Sequence, residues 1–403
     1  MADYPWPEPK VTYRRCRDYS EISPFRLPAT GGQPELPPEI NLADYWDYLN
    51  GIAFEAVQGA RLGLRPPLRR FSVFLTDKCN LACDYCRVDR KNARSLDTAW
   101  LIGHLPAVRK LGAVFMDVMG LGEPTLVPHL PEVIQQAGRL GFVPTLGTNA
   151  STRVLEDEAY LARLLDVPAI KIRVSLDSAQ AAAHDNQRGG QPTWRKAVRF
   201  IQHVVDLREK GRLRAGIFIN KVVNRANIQD CLRDLRFFAA LGVDDVHLIP
   251  IRRVPELYCS TDQIHQFNRE TAPAIQQLAA DHFFPWAARN AFIFGQAADE
   301  IALASQGIYY RPPLARQCYV MRGQLLLDAC GHPYTCLWSK RNGGRSLVPE
   351  LGASAAPADT WQGLADLNYP QINPSICQNL CTREIIQWND RIEKSLGGIY
   401  ETA

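Results

Sequence analysis

Six short apolar segments rich in β-branched residues, at 71–76, 113–119, 142–146, 169–176, 215–220 and 245–249, alternate with amphipathic stretches such as 130–140, 194–209 and 228–241. Strands that alternate with helices predict an α/β fold, with parallel strands joined by right-handed crossovers. In such sheets ligands bind at the carboxyl ends of the strands. That is where the chemically distinctive residues of this chain fall.

The flanks divide the 403 residues further. Residues 1–69 form an N-terminal extension, Pro-rich at first, with a helical pattern over 41–61 carried by Leu42, Tyr45, Leu49, Ile52, Ala53 and Val57. The core is expected over 70–255. Residues 256–312 read as a mainly helical linker or insertion with Trp286, Phe292 and Phe294 in its core, and residues 313–403 as a small domain in which five cysteines fall between 318 and 381.

Composition narrows the function classes. A net charge of +4 is too small to argue for nucleic acid. The short basic clusters (Arg65, Arg69, Arg70; Arg252, Arg253; Lys340, Arg341) read as solvated surface charge. No apolar run approaches the roughly 20 residues that span a bilayer, and Met1 to Pro37 holds no apolar signal core. A cytoplasmic protein without a membrane or nucleic-acid partner is expected. Its eleven cysteines then point to metal or catalytic use rather than disulfides.

The strongest local signal is Cys79-x3-Cys83-x2-Cys86, directly after the first strand segment. Soft thiolates at this spacing select an iron–sulfur cluster or zinc. Zinc lacks a nearby fourth ligand; a [4Fe–4S] cluster held by three keeps one iron open, as catalytic metal sites do.

Asn80-Leu81 after the first cysteine and Tyr85 before the third make this loop resemble the signature of the radical S-adenosylmethionine (SAM) superfamily. The resemblance runs over about 180 residues, from Phe71 to Pro250, through further motifs in order. It implies a partial (β/α)6 TIM-like barrel and two cofactors, a [4Fe–4S] cluster whose open iron binds SAM, and SAM itself. Reductive cleavage of SAM then gives a 5′-deoxyadenosyl radical that abstracts hydrogen from a substrate. A flavodoxin- or ferredoxin-type protein is the implied reductant. By the same resemblance Tyr85 packs near the adenine, and Gly122, Glu123 and Pro124 in Gly120-Leu-Gly-Glu-Pro124 meet the SAM ammonium. Thr148 and Asn149 correspond to a Thr-Asn-Gly segment whose glycine is Ala150 here, leaving close backbone approach open at that point. Ser175 and Asp177 face the ribose or the head group, Arg188 reaches the SAM carboxylate, and Leu248 lines the adenine. Asp117, His247 and Arg252 lie near the expected mouth by strand position alone.

Cys318-x12-Gly331-x4-Cys336, followed by Cys377-x3-Cys381, resembles the start of the auxiliary-cluster domains called SPASM and twitch. This implies one auxiliary [4Fe–4S] cluster on Cys318, Cys336, Cys377 and Cys381 in a small α+β domain. The competing reading is a structural zinc site using Cys330, Cys336, Cys377 and Cys381. Cys330 is otherwise surplus, and Cys16, Cys231 and Cys259 read as inert thiols. Such enzymes modify ribosomally made precursor peptides, by crosslinking, epimerisation or residue excision, or act on small molecules. A peptide substrate is favoured, because residues 1–70 and 256–312 provide material for a groove. Residues 1–70 lack the three-strand, three-helix pattern of a leader-binding domain, so a separate leader-peptide-binding protein is expected. The alternatives are a dehydrogenase or epimerase of a small carbohydrate or aminocyclitol, and a non-enzymatic iron–sulfur redox sensor or scaffold.

Overall fold

The computed structural model describes residues 67–86, 92–309 except 283, 318, 319, 323–334, 336, 381, 386, 389, 390 and 392–394, together with 11, 12, 40, 41, 55 and 59. The helix expected over 41–61 lies outside these, apart from residues 55 and 59, which are helical, and Asn41, which is in a short strand, Ile40–Asn41.

The six expected strands form, and they lie in the sheet in chain order: β1 (Arg70–Val73), β2 (Phe115–Val118), β3 (Val143–Thr148), β4 (Ile170–Ser175), β5 (Ala215–Val223) and β6 (Asp245–Pro250). Every neighbouring pair is parallel. Between them run α1 (Thr98–Lys110), α2 (Leu130–Arg139), α3 (Glu158–Leu164), α4 (Ala181–Gln187), α5 (Trp194–Glu209) and α6 (Cys231–Ala240). This is the parallel sheet of a partial TIM-like barrel.

Alternation along the strands gives the sheet two faces. Phe71, Val73, Met116, Val118, Leu146, Ile170, Ile172, Val174, Ile217, Ile219 and Val246 join one apolar cluster with the helices. Helix α5 shows why they pair: Ala197, Val198, Ile201 and Val204 recur at helical spacing and are buried. Each Val, Leu, Ile or Phe buried in this way stabilises the fold by about 1.5–3 kcal/mol. The opposite, concave face carries Ser72, Asp117, Thr145, Lys171, Arg173, Asn220 and His247, and three register pairs set Ser72, Asp117, Thr145 and Lys171 side by side in one row.

The 256–312 segment is helical as expected, with α7 (Thr261–Gln266), a π turn over Phe267–Thr271, α8 (Ala272–His282), α9 (Pro285–Arg289) and α10 (Ala298–Ala304). Trp286 and Phe294 are buried and Phe292 partly so. Asp245 ties this segment to β6 by accepting from the Trp286 N–H at 2.8 Å and the Ala287 N–H at 3.2 Å. Further along, β7 (Gln324–Leu327) pairs parallel with β1, and β8 (Pro333–Tyr334) pairs antiparallel with β7. Residues 324–334 therefore extend the barrel sheet at its β1 side. No helix among the described residues is long and apolar enough to cross a membrane.

One expectation is corrected. Arg69, Arg70 and Arg252 are not solvated surface charge. Arg69 is 5% exposed and pairs with buried Glu55 at 2.5 Å, Arg70 pairs with buried Asp117, and Arg252 donates to the Cys381 carbonyl at 2.9 Å. The reason is geometric: Arg69 is enclosed with Glu55, Arg70 is partly buried on the sheet face beside Asp117 of the next strand, and Arg252 is partly buried against Cys381, whereas Arg253 is exposed as expected. Among the other clustered basic residues, Arg65, Lys340 and Arg341 lie outside the described residues.

Candidate functional site

The loop that follows β1 carries Cys79, Cys83 and Cys86, all half-buried. Backbone bonds fix it to the ends of neighbouring strands and helices. Gly122 N–H donates to the Thr76 carbonyl (3.2 Å), Glu123 N–H to the Lys78 carbonyl (2.8 Å), and Asp84 N–H to the Gln187 carbonyl (3.2 Å). Side chains add to this: Asn80 Nδ2 donates to Ser151 Oγ at 2.9 Å, and Tyr85 OH to Asp177 Oδ2 at 2.7 Å.

Two glycines make the approach possible. A Cβ on Gly122 would lie 2.3 Å from the Lys78 carbonyl oxygen and 2.5 Å from that of Thr76. Gly189, at φ +81°, has the Ala82 carbonyl oxygen where a Cβ would sit, at 2.7 Å. Gly122 thus gives close approach to the cysteine loop itself.

The other sequence-derived site residues gather around this loop, but most commit their polar atoms inward. Glu123 is 2% exposed. Its carboxylate accepts from Thr148 Oγ1 (2.6 Å), Asn149 N–H (2.7 Å), Thr125 Oγ1 (2.7 Å) and Thr125 N–H (3.2 Å). Burial pushes this carboxyl above its ordinary range, and the hydrogen bonds from Asn149, Thr125 and Thr148 pull the other way. Thr148 accepts from the Ala150 N–H at 2.9 Å, and Ala150 takes φ 53°, so the left-handed turn a glycine would favour is kept by an alanine. Pro124 is buried, and Leu248 belongs to the apolar core. Ser175 remains half-exposed at the end of β4.

Asp177, wholly buried, is the hub of the β4 end. Its carboxylate accepts from Tyr85 OH, from Arg188 Nε at 2.8 Å and from the Val222 N–H at 2.9 Å. Its carbonyl accepts from Lys221 Nζ at 2.5 Å, and its N–H donates to His184 Nδ1 at 3.1 Å. Burial alone would raise the Asp177 carboxyl, yet the Arg188 guanidinium leads the groups that hold it below the usual carboxylate range. Lys221 is itself buried and answered by Asp234 at 2.7 Å. Sequence reading missed Asn80, Ser151, His184, Lys221 and Asp234 as parts of this frame. The Gly189-Gly190 pair after Arg188, a turn signal, was the visible hint.

Three partly exposed thiols on one clamped loop fit the ligand set of an iron–sulfur cluster. Their surroundings also fit, since side-chain N–H groups lie near two of the sulfurs: Asn149 Nδ2 at 3.8 Å from Cys79 Sγ and Arg188 Nη1 at 3.9 Å from Cys83 Sγ. Toward the C-terminus, Cys318, Cys336 and Cys381 are half-buried, while Cys377 lies outside the described residues. Asn389 Nδ2 is 3.4 Å from Cys318 Sγ. Cys330 is on the β7–β8 turn, where its sulfur, the Asp328 carboxylate and the His332 ring place ligand atoms within 4.8 Å of one another. Cys231 and Cys259 are core thiols, both pushed up to about 12 by burial. Cys16 lies outside the described residues.

Two outcomes follow from this geometry. Gly122→Ala should displace the cysteine loop, costing ~1–3 kcal/mol of stability as overpacked sites do, and anaerobic reconstitution should then load far less iron; full loading would contradict the packing. His184 titrates at about 4, pulled below its ordinary 6.5 by burial and by Arg188. Its unfolded form therefore binds protons first. The contribution to stability, roughly 3 kcal/mol, is complete above pH 6.5 and is lost as pH falls toward 4. Urea denaturation of wild type and His184→Gln across that range should show the smaller slope in the variant.

A family model described as the radical SAM superfamily matches residues 73–235. A probable GTP 3′,8-cyclase of Metallosphaera sedula is 27% identical over 216 residues, which cover 53% of this chain and 65% of that relative. One from Saccharolobus solfataricus is 26% identical over 193 residues, covering 47% and 58%. The chain thus spans less than two thirds of the length of either. Among solved structures, Streptococcus suis SuiB bound to precursor peptide SuiA superposes with a TM-score of 0.54 at 14% identity, over 84% of this chain and 76% of that one. At that identity the likeness speaks to fold. The cofactors of the matched family are a [4Fe–4S] cluster and SAM. Residues 73–235 of this chain are thus a radical SAM domain.

Proposed function

We propose that this chain is a radical SAM enzyme that modifies a ribosomally made precursor peptide in the cytoplasm. The supporting observation is the extent of the fold. The sheet continues past β6 into β7 and β8, helices α7 to α10 flank it, and the likeness to peptide-bound SuiB runs over 84% of the chain, well beyond residue 235. In this reading residues 256–312, tied to β6 through Asp245, form one wall of the groove that an extended substrate would occupy at the strand ends.

In this reading Cys79, Cys83 and Cys86 hold the cluster, which with SAM supplies the hydrogen-abstracting 5′-deoxyadenosyl radical. The protein's own part is to orient and enclose. Half-exposed Ser175 and the Tyr85 ring face the ligand, while buried Glu123, Thr148 and Asp177 fix the strand ends that carry them. Gly122, Pro124, Asn149, Arg188 and Leu248 complete the wall. Cys318, Cys336, Cys377 and Cys381 hold one auxiliary [4Fe–4S] cluster within residues 313–403. A flavodoxin- or ferredoxin-type protein is the electron donor, and a separate protein binds the leader peptide.

A second reading, a small anionic substrate such as a nucleotide, is favoured by a different observation. The concave face bears Lys171 and Arg173 beside the Arg70–Asp117 pair, and the sequence relatives carry the name GTP 3′,8-cyclase.

Anaerobic reconstitution should load about eight iron per chain, from two cubanes. With SAM, dithionite and a precursor peptide encoded beside its gene, the enzyme should yield 5′-deoxyadenosine and a peptide of altered mass. Conversion of GTP with an unchanged peptide would establish the second reading. No 5′-deoxyadenosine under any condition would contradict both.

A further inference from the structure

Arg188 and Asn149 are interior donors: they are 6% and 7% exposed. Arg188 is held by its Nε bond to Asp177, and its guanidinium carbon stands 5.5 Å from the centroid of the Tyr85 ring. That leaves Nη1 directed at Cys83 Sγ, 3.9 Å away. Asn149 is held at both ends of its amide. Its Oδ1 accepts from Ser151 Oγ (2.7 Å) and Ser151 N–H (2.9 Å), and its Nδ2 donates to Asn80 Oδ1 (3.0 Å) while facing Cys79 Sγ at 3.8 Å. Two cluster ligands thus each have a fixed N–H donor at the sulfur, one of them cationic and backed by a buried carboxylate.

We propose that Arg188 and Asn149 are positioning residues that set the reduction potential of the cluster on Cys79, Cys83 and Cys86, with Asp177 as the opposing charge. The proposal rests on the assignment of a cluster to those thiols. Reduction adds one electron, supplied by the flavodoxin- or ferredoxin-type donor, and takes the cluster from [4Fe–4S]2+ to [4Fe–4S]+ with no bond broken and no proton moved. The thiolate-bound cluster becomes more negative by one charge. A cation and N–H dipoles at its sulfurs favour that reduced form, and Asp177 works against it. Electrostatics inside a protein are strong enough for single groups to matter here.

The test is a potentiometric titration of the reconstituted full chain without SAM, with dithionite as reductant, followed by visible absorbance and EPR. Omitting SAM removes any effect of Arg188 on that ligand. At a fixed potential, Arg188→Met should lower the ratio of reduced to oxidised cluster about tenfold, a midpoint shift of ~59 mV for one electron. Arg188→Lys should recover most of it. Asp177→Asn should move the midpoint in the opposite direction, which a merely structural role would not do. If Arg188→Met fails to hold iron, Arg188→Met/Asp177→Asn removes both charges together and leaves none unpaired; its midpoint should still lie below wild type. Asn149→Leu should shift the ratio the same way as Arg188→Met, by less. Fully loaded variants with the wild-type midpoint, or shifts of one sign for Arg188→Met and Asp177→Asn, would overturn the proposal while leaving the cluster assignment intact. Absence of iron in the wild type would overturn the assignment itself.

Discussion

The backbone hydrogen bonds from Gly122 and Glu123 to the Thr76 and Lys78 carbonyls join the cysteine loop to the end of β2, and the site is arranged around that contact. A three-thiolate site needs a loop that does not wander, because each ligand is contributed by a different residue of a short segment. Here the loop is held on several sides. Strand β2 grips its start, Ser151 after β3 holds Asn80, and the β4 end holds Tyr85. The parallel sheet is what brings those three ends to one edge.

The electrostatics of the β4 end follow from burial. Asp177 carries a charge inside the protein, so it must be hydrogen-bonded and paired. It meets that need with Tyr85, Arg188 and the Val222 amide, all of which belong to the site or to the strand beside it. The same requirement extends outward to Lys221 and Asp234 on β5 and α6. A single buried carboxylate thus couples the cysteine loop to the packing of the barrel wall. Glu123 plays a parallel part at the β2 end, where it joins Thr148 at the end of β3 and the Asn149 amide just after it to the loop.

Much of this was legible in the chain. The six strands follow from alternating apolar segments, and α5 occupies the same span, Trp194–Glu209, that its helical periodicity predicts. The cysteine loop, the Gly-Glu-Pro turn and the Thr-Asn turn each fall at a strand's carboxyl end, as the topology requires. Periodicity tells which face a side chain takes, though not what it meets there. Glu123 read as a ligand group turns out to be enclosed by Thr125, Thr148 and Asn149, and Arg69 and Arg70 read as solvated turn out to be paired inside. The pairing of β7 with β1 joins residues some 250 apart in sequence, a separation at which local patterns carry no information. Lys221 in the core was likewise hidden, because its partner Asp234 lies on the next helix rather than in the same element.

The central claim is that Cys79, Cys83 and Cys86 alone hold the SAM-binding cluster. Its most direct measurement is iron content together with the EPR spectrum of dithionite-reduced protein, with and without SAM, in wild type and in Cys79→Ala/Cys83→Ala/Cys86→Ala. The account predicts that the variant loses about four iron per chain, one cubane, and that the spectral change on adding SAM disappears. A variant that keeps its full iron and still responds to SAM would contradict it.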